Sequence, residues 1–86
     1  MATQTHYDFT VVLSGVTELT IEMAEALYRA GCDDGSPASS DGRVTIDFHR
    51  QATSLEAAIQ AAVRDVYTAG LRVARVELEV PELVSA

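Results

Sequence analysis

Between Arg43 and Gly70 the apolar residues of this chain change period, and that switch constrains the fold more than any other feature. Val44, Ile46 and Phe48 alternate with Thr45, Asp47 and His49, which predicts a strand with one face toward a core and the other toward polar surroundings. Directly afterwards Leu55, Ala58, Ile59, Ala62, Val66 and Ala69 recur at three and four residues, the spacing of one buried helical stripe. Thr53-x-x-Glu56 is placed to form a capping box at the start of that helix, and Gly70 to end it. A half-buried strand that runs into an amphipathic helix has its natural partner beside it.

The first half of the chain repeats the scheme. Tyr7, Phe9, Val11 and Leu13 alternate with Asp8, Thr10, Val12 and Ser14, predicting a strand over 6–14. Thr17 or Thr20 can cap the next helix, and Met23, Ala24, Leu27 and Ala30 give it an inner stripe, with Leu19 and Tyr28 at the margins. Both helices close on the same signature, Leu27-Tyr28-Arg29-Ala30-Gly31 and Val66-Tyr67-Thr68-Ala69-Gly70. Between them, Gly35 to Ser39 predicts a short strand. Pro37, which lacks an N–H, confines it to a sheet edge, and Asp41-Gly42 supplies the positive φ values of a hairpin turn. Leu71 to Val80 alternates again, with Ala74, Val76 and Leu78 expected inward and Val73, Arg75, Glu77 and Glu79 outward, until Pro81. Right-handed crossovers turn this order into a ferredoxin-like α+β sandwich, βαββαβ, with an antiparallel sheet, first and third strands central, and two helices on one face. Without the Pro37 strand, the same elements make a three-stranded βαβαβ layer. Residues 1–80 are expected to form one domain. Residues 81–86 are expected to form a tail with no core of its own.

Charge narrows the partners. Thirteen carboxylates stand against six arginines, with no lysine, for a net charge of -7, a field that repels phosphate backbones. Direct nucleic-acid binding by this stretch is therefore not expected. The single cysteine, Cys32, cannot close an internal disulfide, and Met1 to His6 carries neither the basic nor the apolar region of a signal peptide. No apolar run approaches the length that spans a bilayer, so a cytoplasmic protein without membrane contact is expected.

Reactive chemistry has little to stand on. His6, Cys32 and His49 are metal-binding residue types, but each stands alone where zinc sites use paired ligands at short spacing. Asp33, Asp34 and Asp41 lack the alternating ligands and closing glutamate of a calcium loop. Ser36, Ser39 and Ser40 belong to no nucleophile elbow, and Gly15 and Gly42 to no phosphate-binding fingerprint. The sequence predicts no catalytic, cofactor-binding or metal residue, no cofactor, and no enzyme.

The polar face of the sheet carries the remaining candidates. It should present Asp8, Thr10 and Val12, then Thr45, Asp47 and His49, then Val73, Arg75 and Glu77. RNA-reading sheets place stacking aromatics there, and this set has only the histidine. Mixed charge with small apolar patches at Val12 and Val73 suits either plain solvation or a modest protein contact, for which a symmetric dimer is the expected geometry. Arg75 of one chain would meet Asp8 or Asp47 of the other, and Val12 and Val73 would supply apolar contact. Pairing along the edge from Leu71 to Leu78 is the competing geometry.

Several stretches taken together resemble a known family. They are Phe9 to Thr20, Ala26 to Asp34, Ser40-Asp41-Gly42, Ile46 to Arg50, Ser54 to Ile59, and Ala69-Gly70-Leu71. They are similar to the N-terminal part of small bacterial helix-turn-helix DNA-binding proteins and transcriptional regulators. In those proteins a segment like Val80 to Ala86 leads into the DNA-binding helices. The resemblance implies a non-enzymatic oligomerisation or regulatory domain of a DNA-binding regulator, or of an antitoxin-like protein, that forms a homodimer or meets a protein partner. The alternative is a small-molecule-sensing module, which rests on fold analogy alone.

Overall fold

The computed structural model describes residues 5–78. The tail expected over 81–86, and the end of the last strand expected at Val80, lie outside the described residues. Six elements follow in the order β1 (Thr5–Ser14), α1 (Ile21–Ala30), β2 (Gly35–Ser40), β3 (Arg43–Ala52), α2 (Leu55–Thr68) and β4 (Arg72–Leu78). The strands form one open antiparallel sheet ordered β2-β3-β1-β4. The architecture is thus α+β, and its βαββαβ element order matches ferredoxin-like topology. Because β2 forms, the three-stranded alternative is excluded.

The alternation read in β3 and β1 sets the two faces. Phe9, Val11, Leu13, Val44, Ile46 and Phe48 point to one side and are buried together with Leu27 of α1 and Ala58, Ala62 and Val66 of α2. Both helices therefore share one core on one face of the sheet. Ala58 and Ala62 are fully buried, and their short side chains let α2 lie close to the sheet. None of the described helices is long and apolar enough to cross a membrane.

Local chemistry sets the ends of the elements. Thr20 caps α1 by accepting from the Met23 N–H at 3.1 Å. Gly31 ends it at φ 112°, a left-handed conformation that a Cβ would strain. The repeated Tyr-x-Ala-Gly signature has one structural meaning. Cys32 N–H donates to the Leu27 carbonyl at 2.9 Å, and Leu71 N–H to the Val66 carbonyl at 3.2 Å. Both helices thus end in the same long-range capping bond. The β2–β3 turn is the expected Asp41-Gly42 pair, with φ of 53° and 74°, between the paired Ser40 and Arg43. Pro37 lies on an edge strand, as its missing donor requires.

Two expectations are corrected. Ser54 caps α2, accepting from the Ala57 N–H at 3.1 Å, so the helix starts one residue later than the Thr53-x-x-Glu56 box implied. Serine is the stronger cap of the two adjacent hydroxyl residues, and Glu56 then supplies charge in the first turn rather than a reciprocal bond. The second correction lies in β4. Val12 pairs with Arg75 but Leu13 pairs with Val73, which leaves Ala74 as the extra residue of a β-bulge. The bulge shifts the alternation, and Val73 packs against the core cluster instead of standing on the open face.

Candidate functional site

The uncovered face of the sheet gathers most of the residues singled out from the sequence. Asp8 sits directly opposite His49 across the β1–β3 ladder, and Thr10 opposite Asp47. His49 Nδ1 and Asp8 Oδ1 share an exposed hydrogen bond, and the His49 ring is stacked on His6 with centroids 5.3 Å apart. Thr10 Oγ1 donates to Asp47 Oδ1 at 2.8 Å. Arg75 Nε donates to Glu77 Oε2 at 2.9 Å along β4. Val12 is only 3% exposed, so it offers a partner almost no surface. Each charge of the expected face-to-face contact already has a neighbour, and both of its apolar supports, Val12 and Val73, are turned away or covered. What that contact loses is apolar area, since neither valine offers much surface to a second copy.

Asp8 and His49 together have the form of a carboxylate that orients an imidazole. General-base work would also need a hydroxyl or thiol hydrogen-bonded to that ring. Among the described residues no hydrogen bond joins a hydroxyl or thiol to His49, and the nearby Thr10 hydroxyl donates to Asp47. His6 and His49 stack together on the open face, while Cys32 is buried in the core beneath the helices. The three cannot share a metal ion. Among the described residues no cluster of three or more His, Cys, Asp or Glu side chains could hold one.

On the helix side lies a cluster that the sequence reading missed. Arg50 continues the inward alternation of Phe48 and is 9% exposed. Its guanidinium donates to Asp34 through Nε and Nη2, both at 2.7 Å, to Asp65 Oδ2 at 3.1 Å and to the Gly31 carbonyl at 3.0 Å. It also lies 4.9 Å from the centroid of the Phe48 ring. One side chain thereby ties β3 to the C-terminus of α1, to the loop before β2 and to α2. The bond from Arg50 pulls the Asp34 carboxyl below its ordinary range, and the bond to Asp34 raises the Arg50 guanidinium. The signal was present in the sequence: counting on by two from Phe48 puts an arginine inside, and a buried arginine needs carboxylates.

Cys32 lies next to this cluster, 4% exposed. Burial, reinforced by the Asp65 carboxylate, pushes its thiol up to about 11, so the reactive thiolate is scarce at neutral pH. Native protein at pH 8 is expected to resist iodoacetamide and to be alkylated quickly once unfolded in urea, which mass spectrometry of quenched samples would follow. Equal rates in the two states would contradict this placement.

Two other surfaces are open to partners. A small groove of about 200 Å³ runs between α1 and β2, lined by Ala24, Leu27, Tyr28, Cys32, Pro37 and Ile46 among others. The sheet has two edges, β2 and β4. β2 carries Pro37, whereas β4 contains no proline between Arg72 and Leu78, and Leu78 is 51% exposed. No protein-family model, no curated protein and no solved structure matches the chain.

Proposed function

We propose that this domain pairs chains: a non-enzymatic oligomerisation and regulatory module, built on a ferredoxin-like sandwich, of a bacterial cytoplasmic DNA-binding regulator or antitoxin-like protein. The observation that carries the reading is the asymmetry of the two sheet edges. Pro37 removes a donor from β2, while β4 has one strand neighbour among the described residues and offers its other side for strand addition. The link to DNA rests on the resemblance of the sequence and on symmetry. A regulator with one helix-turn-helix per chain reads two half-sites as a dimer, and an acidic domain of net charge -7 suits pairing rather than phosphate contact.

Sedimentation velocity from micromolar to hundreds of micromolar is expected to show a dimer fraction that grows with concentration. Amide exchange, compared at low and high concentration, should show β4 gaining protection while β2 does not. A monomer at all concentrations would remove the reading. The groove between α1 and β2 favours a second reading, a small-molecule sensor. Its volume of about 200 Å³ lies below the roughly 300–1,000 Å³ of ordinary ligand pockets, so only a small apolar ligand fits. A monomer whose melting temperature rises with such ligands would favour the sensor.

A further inference from the structure

We infer that β4 pairs antiparallel with β4 of a second copy, in one register, about a two-fold axis through Val76; this rests on the pairing-module reading above. A two-fold perpendicular to the sheet keeps both helix layers on the same side. Directly opposed residues must then belong to the same face. Three axis positions bring the middle of β4 against itself, and charge separates them. An axis at Arg75 sets arginine against arginine, and an axis at Glu77 sets glutamate against glutamate. Like charges directly opposed are destabilising.

An axis at Val76 reverses that. Arg75 faces Glu77 of the second copy and Glu77 faces Arg75, so the symmetry makes the favourable pair twice. The two side chains already share the open face of β4, joined at 2.9 Å and about half exposed. On the helix side Val76 meets its own copy. Leu78, 51% exposed, meets Ala74, which is also exposed. The bulge at Ala74 then falls at the end of the seam instead of its middle. A bulge interrupts a ladder, so it limits the seam to the segment from Ala74 to Leu78. The result is a continuous eight-stranded sheet with a short seam, hence a weak and concentration-dependent dimer.

A charge-reversal cycle read by sedimentation equilibrium tests the register. R75E and E77R are each expected to weaken association about tenfold, because each sets like charges together at two places. The double variant R75E/E77R restores opposite charges across the seam and should associate like the original protein. Both positions are exposed, and circular dichroism of the diluted variants checks that they fold. If the original protein dimerises but the single variants associate as well as it does, or the double variant is as weak as the single ones, this register is overturned and pairing itself stands. The face-to-face dimer gives that second pattern, since R75E sets a carboxylate against Asp8 or Asp47 of the second copy whether or not E77R accompanies it. A monomeric original protein at hundreds of micromolar would overturn both the pairing reading and the register.

Discussion

Phe48→Ala is expected to cost about 3–5 kcal/mol of folding stability, a large part of what a domain of this size has. The ring is 2% exposed and stacks on Phe9 with centroids 5.5 Å apart. Its surroundings cannot close over the gap. Gly35 lies opposite Phe48 on β2, so close that a Cβ there would sit 2.7 Å from Ile46 Cγ2 and 3.1 Å from the ring. Gly35 itself has no side chain to fill the space. The Arg50 guanidinium, 4.9 Å from the ring centroid, would also lose the surface it lies against. His49→Ala, one residue along and on the open face, removes an exposed contact with Asp8 and an exposed stack on His6 and is expected to cost less than about 1 kcal/mol. Urea melts of the two variants compare them directly. Equal losses would mean that the β3 register is wrong by one residue, since such a slip exchanges the faces.

The contrast between these neighbours was legible because strand alternation is a local property. The same holds for the hairpin at Asp41-Gly42, the edge position of Pro37 and the paired Tyr-x-Ala-Gly helix ends, each set by the backbone chemistry of a few adjacent residues. What the sequence hid depends on neighbours far along the chain. The bulge at Ala74 arises where β4 meets β1, and no glycine or proline in Arg72–Leu78 marks it, so alternation alone puts Val73 on the wrong face. Val12 alternates like an exposed residue but lies on a central strand between Thr45 and Arg75, and its burial follows from those lateral partners. Of the candidate face, Asp8, Asp47 and Arg75 stand where alternation puts them. Their partners His49, Thr10 and Glu77 emerge only from strand register and side-chain geometry. Thr53 against Ser54 is a different case, two adjacent residues able to cap, with only a small preference between them.

Arg50→Met should produce the other large loss, about 2–3 kcal/mol at neutral pH, because removing one partner leaves two partly buried carboxylates without their counter-charge. The Arg50 side chain is 10% exposed, and those of Asp34 and Asp65 are 31% and 20% exposed. Arg50→Lys keeps the charge but cannot make the two-pronged bond to Asp34 while also reaching Asp65 and the Gly31 carbonyl, so an intermediate loss is expected. The pH dependence has a definite sign. Hydrogen bonding from Arg50 lowers the Asp34 carboxyl in the folded state below its ordinary 3.8. That stabilisation is therefore complete above the unfolded value and is lost as pH falls through the lower folded one. Below about pH 4 the original protein should lose stability more steeply than Arg50→Met, whose Asp34 no longer carries the lowered value. Parallel acid profiles would show that Arg50 does not hold this carboxyl. Neutralising the stranded acids gives the sharper test. In the Arg50→Met background, Asp34→Asn and Asp65→Asn should recover part of the lost stability, whereas in the original protein each should destabilise by removing a counter-charge from a buried guanidinium, and Asp34→Asn also by replacing one of its two accepting oxygens. That reversal of sign is expected only if the three side chains act as one coupled clamp, and melts of the variants at pH 7 would reveal it.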